Sequence, residues 1–193
     1  MRLRHVVLVL LAGVVGASAA RADDISDQID KAAAAWRAHD SQGAIAALEA
    51  AANLLRQARA DALKTLLPVP PPGWTADPTE TSAVGAAMLG GGVSATRTYH
   101  NGAQRVEVEI TADSPMLQGM AALISSPLAT ASGVKTVMIG GRPMSYTESD
   151  NGYMTLIGNK IIVKVDGSKD TPEPVLRSFV AAIDFGAVEK LAR

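Results

Sequence analysis

The chain has 193 residues, 48% of them hydrophobic, a formal charge of −1 and no cysteine. That length allows one ordinary domain or a small domain with an appendage, and the missing cysteines exclude disulfides and thiolate metal sites. A near-neutral balance and only two Trp, three Tyr and two Phe argue against nucleic acid, which wants a basic patch, and against aromatic stacking platforms.

The chain opens on a basic stretch, Met1-Arg2-Leu3-Arg4-His5, followed by the apolar run Val6 to Val15 and by Ala20-Arg21-Ala22. This is the order of a secretory signal: charged start, an apolar core of roughly ten residues, then an A-x-A cleavage site. We expect cleavage after Ala22, a mature chain that starts at Asp23, and a periplasmic or secreted location. The apolar run is too short for a membrane span, which needs about twenty residues, and without cysteine there is no lipid anchor. Removing residues 1–22 takes three of the 18 basic residues and none of the 19 acidic ones, which leaves a charge near −4 that suits solubility.

Residues 23–67 are alanine-rich and free of proline, as a strong helix former is. A break at His39-Asp40-Ser41 divides them into an antiparallel helical hairpin, with Asp40 or Ser41 as cap of the second helix. Ile25, Ile29, Ala32, Ala33 and Trp36 form one stripe. Ile45, Leu48, Ala51 or Ala52, Leu55, Ala62, Leu63 and Leu66 form another, and the spacing predicts that the two stripes oppose each other. Ala32, Ala35-Trp36, His39-Asp40, Ala44-Ile45, Leu48 and Ala51 resemble one tetratricopeptide unit. A lone unit cannot bury its own face, so it packs on a neighbouring domain or associates with another chain.

The run Pro68-Val69-Pro70-Pro71-Pro72-Gly73 reads as a stiff Pro-rich linker over 68–73, with an α+β domain over 74–193. Asn101-Gly102 signals a hairpin joining strands 93–100 and 103–111. A helix follows from Ser114-Pro115 to about Ser125. Gly140-Gly141, Asp150-Asn151-Gly152 and Gly158-Asn159 then separate strands at about 134–139, 142–148, 152–157 and 160–166. Thr171-Pro172-Glu173 opens a helix to about Ile183, and Ala187 to Leu191 make a further turn. The expected fold is α+β: an antiparallel sheet of about six strands with two helices on one face, preceded by the N-terminal antiparallel helical hairpin.

Gly73-Trp74 ahead of a hairpin, Gly141-Arg142-Pro143 leading a strand, and the closing Ala182-Ile183-Asp184-Phe185 resemble the PsbP-like and LpqN-like group of exported small domains over about residues 73–186. The resemblance rests on the order of elements. It implies an accessory or binding protein and carries no catalytic residues over.

A two-residue turn at Asn101-Gly102, both residues with positive φ, pairs His100 with Ala103, Thr98 with Arg105, Thr96 with Glu107 and Ser94 with Glu109. These side chains share a polar face, while Val93, Ala95, Arg97, Tyr99, Val106, Val108 and Ile110 line the other. The same logic in the last hairpin turns Met154, Leu156, Ile161 and Val163 inward and Tyr153, Thr155, Lys160, Ile162 and Lys164 outward. Thr96, Thr98, His100, Arg105, Glu107 and Glu109 are thus the candidate interaction face.

No reaction announces itself. His39 and His100 lie in different segments and lack the close ligand spacing of a metal box, so no metal, cofactor or catalytic residue is assigned. Gly85 to Gly92 lacks the lysine and hydroxyl of a phosphate loop, and no Gly-x-Ser-x-Gly elbow is present. The chain reads as a non-catalytic exported accessory or binding protein. Its expected partner is a protein or small ligand in the cell envelope, with self-association through the hairpin as one route. Two rivals remain: a small-molecule or copper(I) carrier using Met116 and Met120 with Met138, Met144 and Met154, and a hydrolase built around His100.

Overall fold

The computed structural model describes residues 15–82, 92–114, 117, 119 and 134–192. The chain divides into two compact units, residues 1–58 and 59–193. The start of the signal-like segment, the glycine-rich lead-in up to residue 91, and the helix expected at 114–125, apart from single positions, lie outside the described residues.

The first unit is the helical hairpin. Helix α1 runs from Val15 to Arg37, straight through Ala20-Arg21-Ala22, and α2 spans Ser41–Lys64. Between them His39 takes a left-handed φ of 61°, which reverses the chain. The Asp40 carboxylate then accepts the Gly43 N–H at 2.9 Å and caps α2. Ala32, Ala44 and Ala51 are buried, whereas Ile29, Trp36, Ile45, Leu48 and Leu55 stand in solvent. The sequence stripes therefore do not face one another. Small residues occupy the close contact, and the large apolar side chains are rotated out of it.

The second unit is an antiparallel sheet with eight strands among the described residues. They are β1 Thr75–Ala76, β2 Glu80–Ser82, β3 Val93–Asn101, β4 Gln104–Ala112, β5 Val134–Ile139, β6 Arg142–Thr147, β7 Gly152–Ile157 and β8 Ile161–Gly167. Their order is β1-β3-β4-β8-β7-β6-β5, with β2 also paired to β3, so the first hairpin joins the four-strand meander through β4 and β8. The α+β class and antiparallel sheet expected from sequence are present, with β1 and β2 as short additions. Helices α3 (Glu173–Ala182) and α4 (Phe185–Leu191) close the chain.

One sheet face carries the core. Ala95, Tyr99, Val106, Val108, Ile110, Tyr153, Ile161, Val163 and Val165 are buried there together with Leu176, Phe179 and Val180 of α3 and Val188 of α4. The unit also takes in the end of α2: Ala60, Leu63, Leu66 and Leu67 belong to the same cluster, and Arg59 bonds Asp113 at 3.0 Å and the Leu191 carbonyl at 2.6 Å. Pro68 is buried, and its carbonyl accepts the Tyr99 hydroxyl at 2.6 Å. The proline run is thus anchored to the sheet at its first residue. Trp74 meets Phe179 edge-on at 5.0 Å and Tyr99 tilts against the same ring at 4.9 Å, geometries that aromatic quadrupoles favour.

Two turns correct the expected register. The first hairpin closes on Gly102-Ala103, because Asn101 pairs with Gln104. Gly102 has φ 59° while Asn101 and Ala103 are not left-handed, so the turn is the type with glycine at its first central position rather than the two-positive type. The pairs become His100 with Arg105, Thr98 with Glu107, and Thr96 with Glu109. Each partner moves by two residues, an even slip, so every side chain keeps its face. The last hairpin slips by one. Its loop is Gly158-Asn159-Lys160, with Ile157 opposite Ile161, and an odd slip inverts β7. Tyr153 and Thr155 are buried on the core side, and Met154 and Leu156 take the outer side.

Candidate functional site

The outer face of the sheet is built by register. Along one row lie Thr98, Glu107, Asp166 and Gly152, and along the next Thr96, Glu109, Lys164, Met154 and Ser145; His100 and Arg105 sit opposite each other at the margin. All six residues selected from the sequence therefore share this face, which Lys164 and Asp166 extend onto β8. Glu107 stands directly opposite Asp166, a like-charge cross-strand pair that is unfavourable by itself. Cations offset it. Arg105 bridges Glu107 at 2.5 Å and Lys164 bridges Asp166 at 3.0 Å. Burial alone would lower the Lys164 ammonium, but its hydrogen bond to Asp166, the Asp166 charge and the charges of Glu109 and Glu107 outweigh burial and raise its pKa.

Two shallow clefts open on this face and share Asp166. One of about 150 Å³ is lined by Arg105, Glu107, Asp166, Gly167 and Ser168. The other, about 330 Å³, is lined by Thr147, Asp150, Gly152, Tyr153, Met154, Lys164 and Asp166. A hydroxyl network fixes the rim: the Arg105 N–H donates to Ser168 Oγ and Thr171 Oγ1, both at 3.2 Å, and Thr171 Oγ1 donates to the Arg105 carbonyl at 2.9 Å. Asn151, in a left-handed conformation, donates its amide to the carbonyls of Ser168 and Thr171 at 3.0 and 2.8 Å. Asp166 was legible in the alternation of β8. Ser168, Thr171 and Asn151 were not, since nothing local shows that the β6–β7 turn and the loop after β8 meet at the start of β4.

His100 bonds Asp77 through Nε2 at 2.9 Å, with both side chains well exposed. Among the described residues Asp77 is the side-chain partner of this ring, and no serine joins the pair into a triad. Asp77 is held by backbone pairing to Thr98 and by Arg97, which fits an ordinary cross-strand brace.

Compared with known protein families, with characterised proteins and with solved structures, the chain matches none.

Among the described residues no three His, Asp or Glu side chains converge on a metal-sized site. Met116 and Met120 lie outside the described residues. Met144 is fully buried core and Met138 is exposed on β5, so these two do not form a thioether cluster. Tyr153, expected outward, is buried against α3, where its hydroxyl donates to Glu173. Burial first, then that carboxylate, push it up to about 12.

The second candidate surface is on the hairpin. Among the described residues, five of the seven exposed large apolar side chains fall there: Trp36 is 67% exposed, and Ile29, Ile45, Leu48 and Leu55 lie between 48% and 56%. Helical phase puts them together. In each helix they follow the contact alanines in the same rotational sense, and for antiparallel helices that turns both stripes to one side of the hairpin. Single exposed apolar residues are unremarkable on a monomer, but a contiguous apolar face is a mark of an interaction surface.

Proposed function

We propose that this is an exported, non-catalytic accessory protein of the cell envelope that docks a protein partner through the apolar face of its N-terminal hairpin. The observation that carries the reading is the exposure of Ile29, Trp36, Ile45, Leu48 and Leu55 on one side of the hairpin. The signal-like order of residues 1–22 supports export, and no helix among the described residues is long and apolar enough to cross a membrane. The resemblance of the sequence's element order to PsbP-like and LpqN-like domains is in keeping with an accessory role.

Mass spectrometry of the chain recovered from the envelope tests export. We expect an N-terminus at Asp23, and an intact Met1 refutes it. Docking is tested by comparing native complexes of the wild type with those of Trp36→Ser/Leu48→Ser: the complex should be lost in the double variant and kept in Arg105→Ala. Loss only in Arg105→Ala shifts the function to the sheet.

A second reading has its own observation: the two clefts joined at Asp166 suit a small polar ligand. Saturation-transfer difference spectra against a library of small cations and amino acids test it. Contacts abolished by Asp166→Asn support it, and a blank library counts against it.

A further inference from the structure

We infer that the occupant of the hairpin face is a second copy of this chain, the two hairpins stacking across a twofold axis close to Ala33 of α1. The inference rests on the docking reading and names its partner.

Three features carry it. The first is area. The side chains within reach of such an axis, Ile29, Trp36, Ile45 and Leu48, present about 400 Å² of largely apolar surface, about half of the ~800 Å² that each side of a specific interface contributes. Such an area suits a weak, concentration-dependent dimer. The second is symmetry. An isologous contact requires a patch that is complementary to itself. On α1 the large residues Ile29 and Trp36 flank the small pair Ala32-Ala33 almost evenly, so two antiparallel copies of α1 set Trp36 of each beside Ile29 of the other with alanines at the crossing. The third is charge. Asp30 and Arg37, both exposed, lie on the same outer margin of this face by helical phase. The antiparallel arrangement that matches the apolar residues therefore places Arg37 of each copy beside Asp30 of the other.

The test uses protein expressed from the full-length gene, so that any processing is the cell's own. Sedimentation equilibrium from low micromolar to several hundred micromolar should show a monomer–dimer equilibrium. Trp36→Ser and Leu48→Ser should each weaken it roughly tenfold or more. Asp30→Lys should weaken it too, and Asp30→Lys with Arg37→Glu should restore it, which a merely structural effect would not do. Because the chain has no cysteine, Ala33→Cys alone should form an intermolecular disulfide on mild oxidation, while Gln57→Cys, on the far side of α2, should not. A monomer at every concentration, a dimer indifferent to Trp36→Ser, or equal cross-linking of the two cysteine variants overturns the inference. If the chain is monomeric yet its envelope complex still depends on Trp36 and Leu48, docking stands and the twofold partner falls. A dimer without any envelope complex leaves the twofold contact standing and docking to another protein refuted.

Discussion

Gly102 carries the first hairpin through a left-handed φ of 59°, and a Cβ placed there would meet nothing within 4 Å. Gly102→Val should therefore cost backbone strain alone, about 1–2 kcal/mol, whereas Asn101→Ala should be close to neutral because Asn101 is an ordinary strand residue. Urea midpoints of the two variants check this. Equal losses would mean that both positions are left-handed. Tyr99 and Tyr153 supply a second residue-scale test. Burial is the largest cause in each case, and both phenols are pushed from 10.0 up to about 12. The folded state thus holds these protons more tightly than the unfolded state between those values. Their contribution is fully present below pH 10 and is lost as pH rises towards 12. We expect stability to fall steeply across that window, with phenolate absorbance from the two rings emerging near its upper end, and Tyr153→Phe to flatten part of the slope.

Helix α2 shows how one element can serve two environments. Its apolar stripe includes Leu48 and Leu55, half exposed, and Leu63, fully buried in the sheet unit's core. The same Leu→Ala change should cost about 2–5 kcal/mol at Leu63 and less than about 1 kcal/mol at Leu48, as read from denaturation curves. A chain beginning at Pro70 lacks Leu63, Leu66 and Leu67 and the Pro68 carbonyl that satisfies the buried Tyr99 hydroxyl, so it should lose cooperative unfolding. One beginning at Arg59, where the compact unit starts, should keep it. Circular dichroism melts of the two truncations decide. The proline run reads from sequence as a spacer because composition shows stiffness; only the fold shows that a tyrosine on a distant strand reaches its first carbonyl.

At the scale of the molecule the two units should differ in local stability. The hairpin buries chiefly Ala32, Ala44 and Ala51, while the sheet unit encloses Tyr99, Tyr153, Phe179 and a layer of Ile, Leu and Val. Because burial of large apolar side chains sets the cost of opening, amides of residues 24–50 should exchange at least tenfold faster than those of β4 and β8 in hydrogen-exchange mass spectrometry. Comparable protection in dilute protein would count against this ordering. Sequence periodicity by itself determined the class of the longer described elements, though not of the short β1 and β2, and, for β3 and β4, which side chains share a face, because alternation depends only on parity and survives an even slip. It determined the helical hairpin and narrowed the cap of α2 to Asp40 or Ser41 for the same local reason, and the structure chose Asp40. Tertiary structure decided what lies beyond the reach of neighbours along the chain. The number of loop residues at Gly158–Lys160 set the face of β7; β4–β8 pairing brought Asp166 and Lys164 beside Glu107 and Glu109; and helix rotation chose alanines over leucines for the hairpin contact. Each of these is settled by packing between segments distant in sequence, where a shift of one residue or a fraction of a turn changes which side chain is buried and leaves the local pattern unchanged.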